Sequence, residues 1–433
     1  MLSFSPSEEP QKASPIPPQK GENDNEPTET QELIHSLFER ADLYPESGIR
    51  PVQKRGTIET AELPKRQEVL AIGDIEANDK ALLKILEKSG YIDMRAPKES
   101  GEKKQVFVTE KGRSGTVIQT GDFFDRGSDL LRMLKHVQQL QRHGLDFRFT
   151  AGNHDLYALN SLCSPYVQER DPEFFRVVAR IIEKLKDKPK RERRALMEKA
   201  INEEIRKTGA TLDPGSRLLE AQIFAAWQLE GGDACTDEIQ RNHFPDENNV
   251  PLSEVARQGY QLFFDGGEFS GVMEGLSAIE QVDNVAYLHA GIDDVWAKEI
   301  IAKHGVEGAN QLLRHAIRNQ QLGPFAYGAL KRLFWQRSDY VCEDTARILK
   351  QRGIDAIVRG HDVQKGGKQT ISNYHDIQVI SNDIGIGKTE IPNTGGTIVT
   401  SSGHIVGFHH GDYENRQIIG TLPENRNQQG VAA

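Results

Sequence analysis

Thr116-Val117-Ile118-Gln119-Thr120-Gly121-Asp122-Phe123-Phe124-Asp125-Arg126-Gly127 joins a compact β-branched run to a loop carrying two carboxylates and a guanidinium. Such a run, ended by Gly-Asp, predicts a buried strand opening at its carboxyl end into a loop, where α/β proteins keep their functional groups. The design recurs on both sides. Glu68-Val69-Leu70-Ala71-Ile72 runs into Gly73-Asp74-Ile75-Glu76, and Phe147-Arg148-Phe149-Thr150 leads to Gly152-Asn153-His154-Asp155. Between these strands Leu82, Leu83, Ile85 and Leu86 recur at helical spacing, as do Leu130, Leu131, Leu134 and Val137. Alternating strands and helices predict an α/β sandwich.

Two further blocks lie far downstream. Asn284-Val285-Ala286-Tyr287-Leu288 precedes His289-Ala290-Gly291, and Asp355-Ala356-Ile357-Val358 precedes Arg359-Gly360-His361-Asp362. Strand-like runs at 377–380, 396–399 and 404–408 follow, as expected of a second sheet. The stretch between His154 and His289 has a helical pattern instead, from Phe174 to Leu185, Arg191 to Lys207 and Leu218 to Trp227. A connection of that length is a structure in its own right. The expected organisation is a disordered Pro-, Glu-, Ser- and Gln-rich segment at 1–30, a catalytic domain split into 31–160 and 281–415, a helical insertion at 161–280, and a flexible tail at 416–433.

A formal charge of −10 and a pI near 5.8 argue against nucleic acid or an anionic membrane as the main partner, because both select a basic footprint. Cys163, Cys235 and Cys342 are too few and too scattered for a disulfide frame or zinc cluster. No apolar run approaches the roughly 18 residues of a membrane span, and Met1 to Lys20 lacks the apolar core of a signal peptide. A soluble, cytoplasmic protein is expected.

The blocks together supply a ligand set. Asp74 and Glu76, two residues apart at a strand end, can point the same way and share one cation. Asp122 can bridge two cations with its two oxygens, while Asn153, His289 and His361 complete a second site of mixed oxygen and nitrogen donors. Arg126 and Arg337 can grip phosphate in bidentate fashion, and His154 can protonate a leaving oxygen with Asp125 orienting its ring. Each has a plainer reading: a salt bridge for Glu76, a surface ion pair for Arg337, a turn role for Asp362. The Gly-rich loop from Ser381 to Lys388 lacks phosphate-loop spacing and is expected to border the site. The basic run from Lys184 to Arg194 is expected to be a solvated helical face, and His375, His409 and His410 are given no metal. Trp227, Trp296 and Trp335 read as core anchors, with Trp335 also able to wall a substrate pocket.

The five ordered blocks resemble the phosphoprotein phosphatase branch of the metallophosphoesterases, over about half the chain. That resemblance implies a calcineurin-like α/β/β/α sandwich with a helical insertion and two divalent metal ions, Mn²⁺ first, with Mg²⁺ or Fe as alternatives. It places the first ion on Asp74, Glu76 and Asp122, and the second on Asp122, Asn153, His289 and His361. It also implies phosphomonoester hydrolysis by in-line attack of a metal-bridging hydroxide, with His154 as acid, Asp125 as its partner, and Arg126 and Arg337 as phosphate grips. Glu76 departs from the family, which has His there, and should make the first site favour harder cations. With the insertion and the Pro-rich start, this variant is similar to a bacterial effector phosphatase of the branch, which implies phosphotyrosine substrates and translocation into a host cell. The alternatives are phosphoserine or phosphothreonine, a diadenosine polyphosphate, or a weakened catalyst whose insertion docks a protein.

Overall fold

Strand β1 (Val69–Ile72) is apolar at every position because both of its faces are covered. Its period of two sends Val69 and Ala71 to one face and Leu70 and Ile72 to the other. The first pair joins Ile118, Val285, Tyr287, Ala356, Val358, Ile380, Val399 and Ile405 in a layer between two sheets. The second pair lies in the larger core that includes Leu82 and Ile85 of the Asp79–Lys88 helix and Leu134 and Val137 of the Leu130–Arg142 helix. Each such side chain contributes on the order of 1.5–3 kcal/mol by leaving water. The result is an α/β/β/α sandwich.

The computed structural model describes residues 67–95, 105–189, 217–247, 249–264, 266–318, 339–364, 367–386, 395–408 and 416–422, with shorter pieces between 192 and 207 and between 330 and 337. The expected disordered segment at 1–30, His409, His410, Lys388 and the final 423–433 lie outside the described residues. A small hairpin, β2 (Ile92–Arg95) with β3 (Gln105–Val108), stands apart from the two main sheets. In the first sheet β1 pairs in parallel with β4 (Thr116–Thr120), and β4 with β5 (Asp146–Thr150). In the second, β6 (Ile279–Val282) is the antiparallel neighbour of β7 (Val285–Leu288). Strand β7 runs parallel to β8 (Ala356–Arg359), which runs parallel to β10 (Ile377–Ser381), and β9 (Thr370–Tyr374) closes that edge. Leu288, Arg359 and Ser381 are in register, so the loops that follow them leave the sheet side by side.

Two sequence expectations need correction. The late strands do not all build the second sheet: β11 (Gly396–Val399) returns to pair antiparallel with β1, and β12 (His404–Phe408) extends that edge. Strand pattern reports which faces are buried and says nothing about which open edge a strand will satisfy. Likewise, part of the expected flexible tail is ordered. Gln417–Thr421 forms β13, paired antiparallel with β12 across a register shift at Ile405 and Val406.

The described parts of the insertion are mostly helical, while the helix expected from Arg191 to Lys207 is only partly within the described residues. Pro172–Leu185 packs on Arg217–Trp227 through Phe174, whose ring centroid lies 5.8 Å from that of Phe224. Asp233–His243 and Leu252–Phe263 pair behind them. The Asn153–Cys163 helix, which carries the third block, packs directly against Arg217–Trp227. No described helix is long and apolar enough to cross a membrane.

Candidate metal centre

The site is assembled where strands end, on backbone that ordinary residues avoid. Glu76, Ala77, Asp122, Arg126 and His361 have φ of +47°, +52°, +54°, +67° and +67°. Left-handed backbone costs a non-glycine residue roughly 1–2 kcal/mol, so something else must hold these loops. Asp155 holds much of the Asp122–Arg126 loop. Its Oδ2 accepts from the N–H of Asp122 at 2.8 Å and of Gly152 at 2.7 Å, while Oδ1 accepts from Phe123 at 2.9 Å and Phe124 at 3.0 Å. Burial pushes this carboxyl up to about 7, against the pull of the Gly152 N–H. Gly152 is required by close approach, since a Cβ there would run into Asp122 Oδ1.

His289 fixes the chemistry of the centre. Its Nδ1 lies 3.0 Å from the Thr120 carbonyl, which only accepts, so Nδ1 carries the proton and Nε2 a lone pair. That lone pair faces Asn153 Oδ1 at 2.9 Å, His361 Nδ1 at 3.0 Å and Asp122 Oδ1 at 3.5 Å. Donors about 2.0–2.2 Å from one ion sit about 3 Å or slightly more from each other, and that is the spacing found. Asp122, His289 and His361 form a buried three-residue group able to hold a cation. His361 Nε2 has no hydrogen-bond partner among the described residues. Burial, then the neighbouring His361, holds His289 well below its usual range, and burial with the Arg337 charge lowers His361 to about 3. Both imidazoles are therefore neutral at physiological pH, as ligation requires.

Carboxylates crowd the same space. Asp74 Oδ1 accepts from His361 N at 3.0 Å, and Asp122 Oδ1 from His154 N at 2.9 Å. Burial raises Asp74 well above the usual carboxylate range, and Asp383 and Asp122 add to it; Asp122 is raised by burial and then by Asp155 and Asp125. Buried anions this close favour a cation among them. The donor set fits a divalent ion.

Beside it lies a relay of charge and proton. Arg126 Nη1 pairs with Glu76 Oε1, and Arg126 Nη2 lies 2.6 Å from His154 Nε2. A guanidinium only donates, so His154 Nε2 accepts and its Nδ1–H donates to Asp125 Oδ2 at 2.8 Å. The structure therefore brings Asp74, Asp122, Asn153, His289 and His361 together, with His154, Asp125 and Arg126 alongside. Glu76 is placed on Arg126 and outside the Asp122, His289 and His361 group. Arg337 is exposed at the rim, 2.8 Å from Asp362 Oδ1, and the second oxygen of Asp362 takes Nη2 of the buried Arg359 at 2.5 Å.

Several residues that matter here carry no motif role. Asp155 is legible in hindsight as a carboxylate in a helix's first turn, able to reach back to preceding N–H groups. Asp383 stands two residues beyond β10, as His361 stands two beyond β8, so register alone aligns them. Tyr157 and Trp335 are half-buried and edge to face at 5.3 Å, and the Tyr157 ring lies 6.3 Å from that of His154.

Residues 68–197 match the family model described as calcineurin-like phosphoesterase. No curated protein sequence matches the chain. Among solved structures, the cold-active protein-tyrosine phosphatase of a psychrophilic Shewanella species is similar at 17% identity, over 86% of this chain and 89% of that one, with a TM-score of 0.47. A protein serine/threonine phosphatase from Saccharomyces cerevisiae is similar at 12% identity, over 86% of this chain and 82% of that one, with a TM-score of 0.37.

Proposed function

We propose that this chain, built on the calcineurin-like phosphoesterase fold, is a metal-dependent phosphoprotein phosphatase acting on phosphotyrosine. The observation that carries the reading is the meeting of His289 Nε2, Asn153 Oδ1, His361 Nδ1 and Asp122 Oδ1 beside the His154–Asp125 pair. Two divalent ions, Mn²⁺ foremost, would be held by Asp122, Asn153, His289 and His361 and by Asp74 and Asp122 with Glu76, and would supply Lewis acidity and a water of lowered pKa.

The chain's own groups divide the remaining work. Arg126 rests on Glu76 and His154, so an incoming phosphate competes with Glu76 for the guanidinium and draws it onto phosphoryl oxygens. That movement releases His154 Nε2. Once protonated there, His154 can pass a proton to the leaving oxygen, while Asp125 keeps Nδ1–H fixed and stabilises the imidazolium. Arg337, anchored by Asp362 at the rim, is the second phosphate contact. Burial is the main cause lowering Arg126 from its usual value, and the partial exclusion of water leaves its charge less screened toward phosphate.

Phosphotyrosine is favoured by the Tyr157 and Trp335 pair, an aromatic wall beside the proton donor. A closer resemblance to the Legionella effector phosphatase WipA, carried by Glu76 and the helical insertion, supports the same ester and a site of action inside a host cell. The insertion at 161–280 is then the surface that docks the phosphoprotein.

The test is phosphate release from phosphotyrosine, phosphoserine and phosphothreonine peptides and from diadenosine tetraphosphate, with Mn²⁺ and with chelator. Chelator-sensitive release that favours phosphotyrosine peptides is expected. Release indifferent to chelator overturns the metal reading, and preference for phosphoserine or the dinucleotide overturns the substrate.

A further inference from the structure

The insertion meets the catalytic loop through Phe263, whose ring centroid lies 4.7 Å from that of Phe124, and through a turn between two of its helices. The Arg217–Trp227 helix does not run straight into Asp233–His243; at Gln228–Gly232 the chain kinks, and Gly231 leaves helical geometry with φ +127°. A kink of this kind takes carbonyls out of the helical ladder and leaves them to other donors. Here three successive carbonyls all accept from arginines. Leu229 O accepts from Arg193 Nη1, Glu230 O from Arg126 Nε at 3.4 Å, and Gly231 O from Arg126 N–H at 3.1 Å.

Arg126 needs such support, because its own φ of +67° is unfavourable for a side-chain-bearing residue. The fit is tight. A Cβ on Gly231 would lie 2.5 Å from Arg126 Cγ and 3.1 Å from its Cα and N. The Glu230 carboxylate adds favourable charge near the guanidinium. On the far side, Arg193 also donates from Nε to Lys188 O at 2.9 Å, so part of the basic run is bound to the turn and is not simply a solvated face.

We propose that the Gln228–Gly232 turn is the positioning element for Arg126, and that through Arg193 it couples the state of the helical insertion to the arginine that takes the substrate phosphate. The proposal rests on the reading of Arg126 as a phosphate contact. A protein bound to the insertion, by shifting this turn, would alter phosphate capture and release Glu76 from Arg126, while His289, Asn153, His361 and Asp122 stay held by one another, by Thr120 and by Asp74.

Full-length Gly231→Ala and Arg193→Ala are compared with wild type, Arg126→Ala and the double variants. Gly231→Ala is expected to raise KM for p-nitrophenyl phosphate and the inhibition constant for inorganic phosphate by about tenfold, with a smaller change in kcat. Mn²⁺ binding to the Asp122, Asn153, His289 and His361 group, read by calorimetry, should stay as in wild type. Arg193→Ala relaxes the turn without a clash and should act in the same direction, which keeps the test open if Gly231→Ala fails to fold. In the Arg126→Ala background neither change should add a further loss. Full additivity, or unchanged KM and phosphate inhibition in both single variants, overturns the proposal. If Arg126→Ala leaves phosphate inhibition unchanged, the phosphate-contact reading fails by itself. The turn is then judged by the Arg126 Nε–H resonance, identified by its loss in Arg126→Ala: displacement in both single variants supports positioning, and an unmoved signal refutes it.

Discussion

Asp155→Asn tests how the site is held. The carboxylate accepts four buried backbone N–H groups, two on each oxygen. An asparagine keeps one acceptor oxygen and turns an amide NH₂ toward the other pair, so two N–H groups lose their partner. At about 1–3 kcal/mol for each buried, unsatisfied donor, the loss is roughly 2–6 kcal/mol. Much of it should fall on Asp122, whose left-handed backbone at φ +54° is tied by one of these bonds and whose Oδ1 faces His289. The variant is therefore expected to unfold at lower urea and to bind Mn²⁺ at least about tenfold more weakly. Urea unfolding and calorimetry at pH 8, above the value near 7 to which burial pushes this carboxyl, measure both. A loss under about 1 kcal/mol, together with wild-type Mn²⁺ affinity, would refute the view that Asp155 holds the loop.

Three further outcomes are expected. Asp122→Asn should abolish turnover and lower metal stoichiometry measured by atomic absorption, because a charged oxygen in the donor group is replaced by an amide; unchanged metal content would count against Asp122 as a ligand. His154→Ala should slow phenyl phosphate hydrolysis by about 10²–10⁴ and p-nitrophenyl phosphate much less, since p-nitrophenolate leaves without a proton; equal losses would remove His154 from the acid role. Glu220, buried in the insertion, has its carboxyl pushed by burial to about 7 from 4.5. The folded state then holds this proton more tightly than the unfolded chain, so the stability it contributes is fully present below about 4.5 and is lost as pH rises through 7. Glu220→Gln should remove that slope and raise stability at pH 8 by up to about 3 kcal/mol, read as the difference between urea titrations at pH 5 and pH 8.

The layers of the fold were legible because strand and helix periods differ, and β1, β4, β7 and β8 each write their burial into four or five consecutive residues. Edges were not. The return of β11 to β1, and the pairing of β13, depend on backbone groups that look alike for any residue. Most of the site was visible for a related reason: metal and proton chemistry restricts residue type, so Asp122, Asn153, His154, His289 and His361 announce themselves. Asp155 and Asp383 stand in stretches already singled out, Gly152–Asp155 and Ser381–Lys388, yet their parts were not legible, because sequence does not show which N–H groups or charges a carboxylate will face.

What the amino-acid order determined alone is the set of donors and the strand ends that carry them, since both follow from side-chain chemistry and local periodicity. Only the tertiary structure decided how those donors are shared. It set Glu76 against Arg126, gave His154 its Nδ1 proton through Asp125, and brought a glycine from the distant insertion against the arginine loop. Such assignments depend on distances of a few ångströms between residues well separated along the chain, and local sequence carries no record of them.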